Sequence, residues 1–244
     1  MSSSTASFKP LRAGLPVLAL LAGGFLLRSM EQRLPQSAVW RGEQMVALTG
    51  RGGLTSVLGG LRAAVAGGYW LRANLAWERR EPAAMEMLIG LTVAADERPL
   101  YFWLNGARML AYDVPAWQPR DTPPEMARHL GGEQAQRALR LLERGLSWHG
   151  ADAGLYVEMA NIHLRRLHDL ESAARCYRLA AEQSGAPYYA ARIHAELLRE
   201  LGRPQEALTW LKQILPGLPA EDPAARREVV MQRIKELEST AVAK

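Results

Sequence analysis

The sequence predicts an all-α fold: an α-solenoid of about four helix–turn–helix units, closed by a C-terminal capping helix and entered through a single N-terminal apolar helix. Three observations predict it. From residue 62 onward, apolar residues recur at three- and four-residue spacing, with no alternating strand pattern of any length. Stretches in the C-terminal half repeat with a period of 34 residues. Near the start, Ala13 to Leu27 (AGLPVLALLAGGFLL) carries no charge between Arg12 and Arg28. The 244 residues divide accordingly into a tail (1–12), a transmembrane anchor (13–28), a juxtamembrane linker (29–52), the helical body (53–222) with an inserted loop (113–132), and a capping helix with its tail (223–244).

The anchor comes first. A spanning helix needs about 20 apolar residues, with a lower limit near ~17, and the flanking Arg12 and Arg28 lengthen the usable span by reaching to the two interfaces. A cleaved signal peptide has an apolar region this short. However, Arg28, Glu31 and Arg33 stand where its small cleavage residues belong, and no cysteine follows for lipid attachment. The segment therefore reads as an uncleaved signal-anchor. Lys9, Arg12 and the terminal amine flank one end and Arg28, Arg33 and Arg41 the other; with so short a leader the N-terminus is expected inside, so the expected location is a bacterial inner membrane, single-pass, with the body in the periplasm. Arginine far outnumbers lysine, which occurs only at 9, 212, 235 and 244; with abundant Ala, Leu and Gly this is the composition of a GC-rich bacterial genome.

The next apolar stretch, residues 53–77, repeats small residues every fourth position at Ser56, Gly60, Ala64 and Gly68. Such a stripe lets backbones approach closely and offers a face for self-association. Arg62 at its centre argues against a second span, so this stretch is expected to be the first packed helix of the body.

The period is clearest after residue 150. Ala173, Tyr177 and Ala180 are matched by Ala207, Leu211 and Ile214, 34 residues later. His168 in one inter-helix turn corresponds to Gly202 in the next, and Gly185 to Pro219. Upstream, Ala138 and Leu142 precede Ala173 and Tyr177 by 35, and Ala84, Leu88 and Leu91 occupy similar places after the turn from Arg79 to Pro82. A 34-residue helix–turn–helix unit is the period of the tetratricopeptide repeat (TPR). Small pairs, Ala160 with Ala173 and Ala195 with Ala207, allow the two helices of a unit to pack closely. Tyr156, Met159, Leu198 and Leu211 then fill the space between units, and each unit depends on its neighbours for apolar cover.

Four prolines, Pro115, Pro119, Pro123 and Pro124, interrupt the pattern between Asp113 and Gly132 and predict a loop of that extent. Trp117 within it is read as pinning the loop to the body. Asp96-Glu97-Arg98-Pro99 and Asp169 with Glu171 read as helix starts. Pro223 to Ser239, with Val229, Val230, Ile234 and Leu237 on one side, forms the cap.

Several segments carry a resemblance: Gly60-Leu61-Arg62-Ala63, Tyr69-Trp70-Leu71-Arg72-Ala73, Ser184-Gly185-Ala186-Pro187 and Ile234-Lys235-Glu236-Leu237. Over roughly residues 53–238 the chain resembles bacterial membrane-anchored TPR proteins. The proline-rich insertion and the short anchor depart from that pattern. The resemblance implies the architecture and the tether, but no catalytic residues and no particular partner.

Function classes are narrowed by what is present. The formal charge is +5, yet residues 151–244 hold thirteen basic and thirteen acidic side chains, and acids are interleaved with arginines along most of the chain. Nucleic-acid binding needs basic residues concentrated on one face, so a nucleic-acid partner is not expected. His163 and His168 are five apart and His194 lies in the next unit, without the spacing of a metal set. The lone Cys176 sits in an apolar helical stretch and reads as buried and inert. No phosphate loop and no nucleophile–base arrangement is legible, so neither catalysis nor a cofactor is expected. The expected function is a membrane-tethered protein–protein interaction scaffold, a subunit or assembly factor of an envelope complex. An enzyme with a site at the 113–132 loop and an RNA-binding helical-repeat protein are the alternatives. The first helices of the units would line a groove, with Tyr69, Trp103, Asn161, Arg165, Tyr189, Arg192 and Arg199 facing a protein partner, aromatics and arginines being the commonest binding anchors.

Overall fold

A computed structural model describes residues 62–242, all within one compact unit spanning Thr49–Lys244. The anchor at 13–28, the linker at 29–52 and the stripe positions Ser56 and Gly60 lie outside the described residues. The described chain is helical, without a strand. Its helices are α1 (Arg62–Glu78), α2 (Pro82–Ala95), α3 (Leu100–Arg108), α4 (Pro124–His149), α5 (Ala153–Ile162), α6 (Leu170–Ala181), α7 (Tyr188–Glu200), α8 (Pro204–Ile214) and α9 (Arg227–Val242). Both α3 and α5 continue into a π turn, Met109–Asp113 and His163–Leu167 respectively. No helix among the described residues is long and apolar enough to cross a membrane.

Helix starts follow the chemistry of orphan backbone N–H groups. Asp152 and Asp169 cap α5 and α6, their carboxylates accepting from the N–H groups of Leu155 (2.9 Å) and Ser172 (3.0 Å). Pro82, Pro124 and Pro204 instead occupy the first helical position, where no N–H is needed. Turns within hairpins share one construction. Arg80 (φ 56°), His168 (φ 54°) and Gly202 (φ 76°) each take the left-handed conformation two residues before the second helix begins. Around Arg80 and Gly202 the bonds from Glu81 N–H to the Ala76 carbonyl (2.9 Å) and from Arg203 N–H to the Leu198 carbonyl (2.8 Å) are those of a Schellman C-cap.

Packing is chiefly between helices adjacent in sequence, with α3 also touching α5. One core runs from Ala73 to Leu197, and a smaller cluster joins α7 and α8 to α9 through Ala195, Leu198, Ala207, Leu211, Val230, Ile234 and Leu237. The small pairs read from the sequence are where close approach requires them, since Ala160, Ala173 and Ala207 have no exposed surface and Ala195 almost none. In α1 the packing face is Ala66, Ala73 and Ala76, whereas the described stripe residues, Ala64 and Gly68, are exposed. Arg62 is tied down by an ion pair with Glu97 and a 3.3 Å bond to the Ala95 carbonyl.

The expected loop at 113–132 is much shorter. A single turn at Val114–Ala116 follows the π segment, irregular chain occupies 117–123, and α4 runs unbroken from Pro124 through Gly131 and Gly132. Pro123 and Pro124 stand at the start of α4, while Pro115 and Pro119 fall in the turn and irregular chain before it, so the ladder of α4 is left intact. Trp117 packs on the core and edge-on to Trp77 (6.4 Å between ring centroids), and the Trp77 indole donates to Asp113 at 2.8 Å, so the aromatics do pin this segment. Pro99 is the residue before α3 rather than part of its first turn, and Asp96 ends α2. The Asp96 carboxylate, buried, takes both Arg98 nitrogens at 2.8 and 2.9 Å, which holds its pKa below the ordinary value. Similarly, the C-terminal segment begins with a 3₁₀ turn at Pro223–Ala225 before α9.

Two glycines of the packed helices differ in what a methyl group would meet. At Gly132 an added Cβ touches nothing within 4 Å, so Gly132→Ala should gain helix propensity, raising stability by about 1 kcal/mol. At Gly106 the same atom would stand 2.6 Å from Ile89 Cγ2 and 3.2 Å from Leu141 Cδ2, so Gly106→Ala should cost roughly 1–3 kcal/mol through overpacking. Urea denaturation of the two variants checks the opposite signs.

Candidate functional site

A polar cluster forms around the two π turns. A π turn inserts one residue into the helical ladder and re-aims the side chains after it, a distortion common at functional sites. The first carries Tyr112, one turn after Arg108; the second carries Arg165 and Arg166. Glu158 and Asn161 stand at i and i+3 on α5, and Arg165 follows in the π turn that continues it.

Contacts join these elements. Glu158, whose side chain is 4% exposed, accepts from Arg108 Nε at 2.8 Å and so ties α5 to α3. Tyr177 on α6 is buried and its hydroxyl donates to Asn161 Oδ1 at 2.8 Å. The phenol of Tyr112 is pushed up to about 12 by burial, reinforced by Glu158 and opposed by Arg165 and Arg166. Burial likewise raises the Tyr177 hydroxyl, with Arg165 opposing and Tyr189 and Glu158 adding to it. Both phenols are therefore neutral at physiological pH, and that of Tyr177 donates to Asn161. Arg166 lies across Gly131 of α4, its Nη2 3.1 Å from where a Cβ would stand, and its buried Nε has no hydrogen-bond partner.

The seven groove positions expected from the sequence separate in space. Asn161, Arg165 and Tyr189 come together around Tyr177, with Arg165 and Tyr189 exposed. Tyr69 packs half-buried against the core. Trp103 cannot face a groove: it has no exposed surface, and its indole donates to the Glu97 carbonyl at 2.8 Å. Position on the first helix of a unit misled here, because α3 turns this face toward α4. Arg192 and Arg199 serve the C-terminal cap instead. Arg192 donates to the carbonyls of Ala224 (3.3 Å) and Ala225 (2.9 Å), while Arg199 pairs with Glu196, which also takes Arg233 of α9 at 2.9 Å. Sequence reasoning passed over Arg108, Tyr112, Glu158, Arg166 and Tyr177. The spacing of Glu158 with Asn161 was a usable signal; nothing in the sequence marks the π turns.

The cluster is built to hold acceptors. Arginine, phenol and amide donors surround it, and no group of three or more potential metal ligands occurs among the described residues. Cys176 is buried and its thiol is raised to about 11, so it stays protonated at neutral pH. His194 is buried between helices, its Nδ1 2.9 Å from the Ala174 carbonyl and its ring edge-on to Trp210. That geometry needs the Nδ1–H tautomer, and burial holds its pKa below the ordinary 6.5, as it does for His163. A depressed folded pKa means the neutral form is the stabilising one. Stability should therefore be full above pH ~6.5 and decline as pH falls below it. His194→Gln should flatten that decline, read as the urea midpoint between pH 7.5 and 5.

No protein-family model matches the chain, and no curated protein matches it significantly.

Proposed function

We propose that the chain is a membrane-tethered protein–protein interaction scaffold of TPR type, a subunit or assembly factor of a bacterial envelope complex with its body in the periplasm. One observation carries the reading. Left-handed residues recur at Gly150 and Gly185 (both φ 73°), 35 apart, and at His168 and Gly202 (φ 54° and 76°), 34 apart. Two successive helix pairs, α5 with α6 and α7 with α8, thus enter and turn at equivalent positions, as a stack of repeats requires. The donor-rich cluster at the end of α5, bordered by the exposed Tyr189, supports a binding role. The upstream apolar segment Ala13 to Leu27 supports the tether.

Proximity labelling from the C-terminus of the full chain, followed by cross-linked capture from solubilised membranes, tests both parts. Periplasmic neighbours and a stoichiometric protein partner are expected. Cytoplasmic neighbours would overturn the sidedness, and the absence of any stoichiometric partner would overturn the scaffold.

A further inference from the structure

We infer that the cluster at the π turns receives an acidic segment of the protein partner, with Arg165 and Arg166 taking its carboxylates and Tyr112 and Asn161 donating beside them. This rests on the scaffold reading and specifies the chemistry of the partner.

The charge balance favours it. Three guanidinium groups, Arg108, Arg165 and Arg166, meet one carboxylate, Glu158, and that carboxylate is engaged by Arg108. Among the described residues, neither Arg165 nor Arg166 has a carboxylate within 4.0 Å. Arg62, Arg98, Arg137, Arg178 and Arg203 on the same body each hold a carboxylate. Arg165 and Arg166 bring two adjacent cations to a cluster whose one carboxylate is already engaged.

The donor balance points the same way. The buried Nε of Arg166 has no acceptor, and an unmet buried donor costs about 1–3 kcal/mol, more when charged. Asn161 spends its oxygen on the Tyr177 hydroxyl, which leaves its amide nitrogen to donate. Planar guanidinium groups match carboxylates in a two-pronged geometry, and such charge-assisted bonds are the stronger ones. Tyr189, 43% exposed, borders the cluster and offers a surface for the aliphatic stems of acidic side chains.

A nucleic acid fits less well. Phosphates along a strand need a continuous basic track, whereas here Glu158 sits within the cluster. A short acidic peptide needs only the two arginines.

The test uses the full chain in detergent and a fluorescent, end-blocked hexaglutamate peptide. Binding should weaken as salt rises, and an end-blocked hexalysine should not bind. Arg165→Gln, at an exposed position, should weaken the peptide about tenfold, and Arg165→Lys should keep most of the affinity. Tyr112→Phe should weaken it less, and Arg120→Gln, in the 117–123 segment, should change nothing. Equal affinity in Arg165→Gln and Arg166→Gln, with unchanged helical circular dichroism, would overturn the inference. So would tighter binding of a hexauridylate strand, or full displacement by equimolar inorganic phosphate. Capture separates the two readings: a protein partner held equally by wild type and Arg165→Gln sinks the acidic-segment inference and leaves the scaffold standing. Peptide binding without any captured partner does the reverse.

Discussion

Replacing Trp103 with alanine should destabilise the body by about 3–5 kcal/mol, a fall in thermal midpoint of roughly 10 °C for a domain of this size. The indole is fully buried and meets several elements at once. An added Cβ at Gly145 of α4 would stand 3.4 Å from it, and from both Leu155 methyl groups, so α4 and α5 close directly over the ring. Its N–H and the His149 ring nitrogen both reach the Glu97 carbonyl, at 2.8 and 2.9 Å, which fixes the link between α2 and α3 to the end of α4. Trp103→Phe loses the donor and part of the ring volume but keeps an aromatic ring in the pocket, so it should cost far less than the alanine variant. Differential scanning calorimetry of the pair checks this, and similar losses for both would show that the hydrogen bond, rather than packing, dominates.

Removing Arg108 is expected to have the next largest effect. Arg108→Ala leaves the Glu158 carboxylate buried without its partner. Breaking a buried pair costs roughly 3–5 kcal/mol, and the half-exposed arginine lowers this to about 2–3. One signature separates this from lost packing. Arg108→Met with Glu158→Met should recover most of the deficit, because the buried charge is then gone. Urea midpoints of the single and double variants decide the matter.

Much of the helical layout was legible because its signals are local. Asp169 caps α6 through its own carboxylate, and His168 and Gly202 share a turn conformation that the 34-residue register had paired. Ala173 and Ala207 were legible because only a small side chain fits where helices approach closely. Prolines 115 to 124 misled because proline stops a helix only from its interior, and position relative to the helix start is a fine matter of register. The site was less legible. Arg165 and Asn161 were expected at a groove from type and placement, whereas the pairing of Arg108 with Glu158 spans 50 residues and leaves no local signal. Arg192 and Arg199 carried the right chemistry for binding and were recruited by α9 instead.

That recruitment has its own consequence. Arg192 holds the carbonyls of Ala224 and Ala225, and Arg227 holds those of Leu215 and Leu218 at 2.7 Å each. Main-chain oxygens are common to all residues, so the strap reads the path of the connection and is blind to its side chains. The exposed positions of the connection from Leu215 to Ala225 can therefore drift in composition while the terminal helix keeps its seat. Such drift must stop at the two guanidinium groups and at Leu218 and Ala225, which are buried in the smaller cluster.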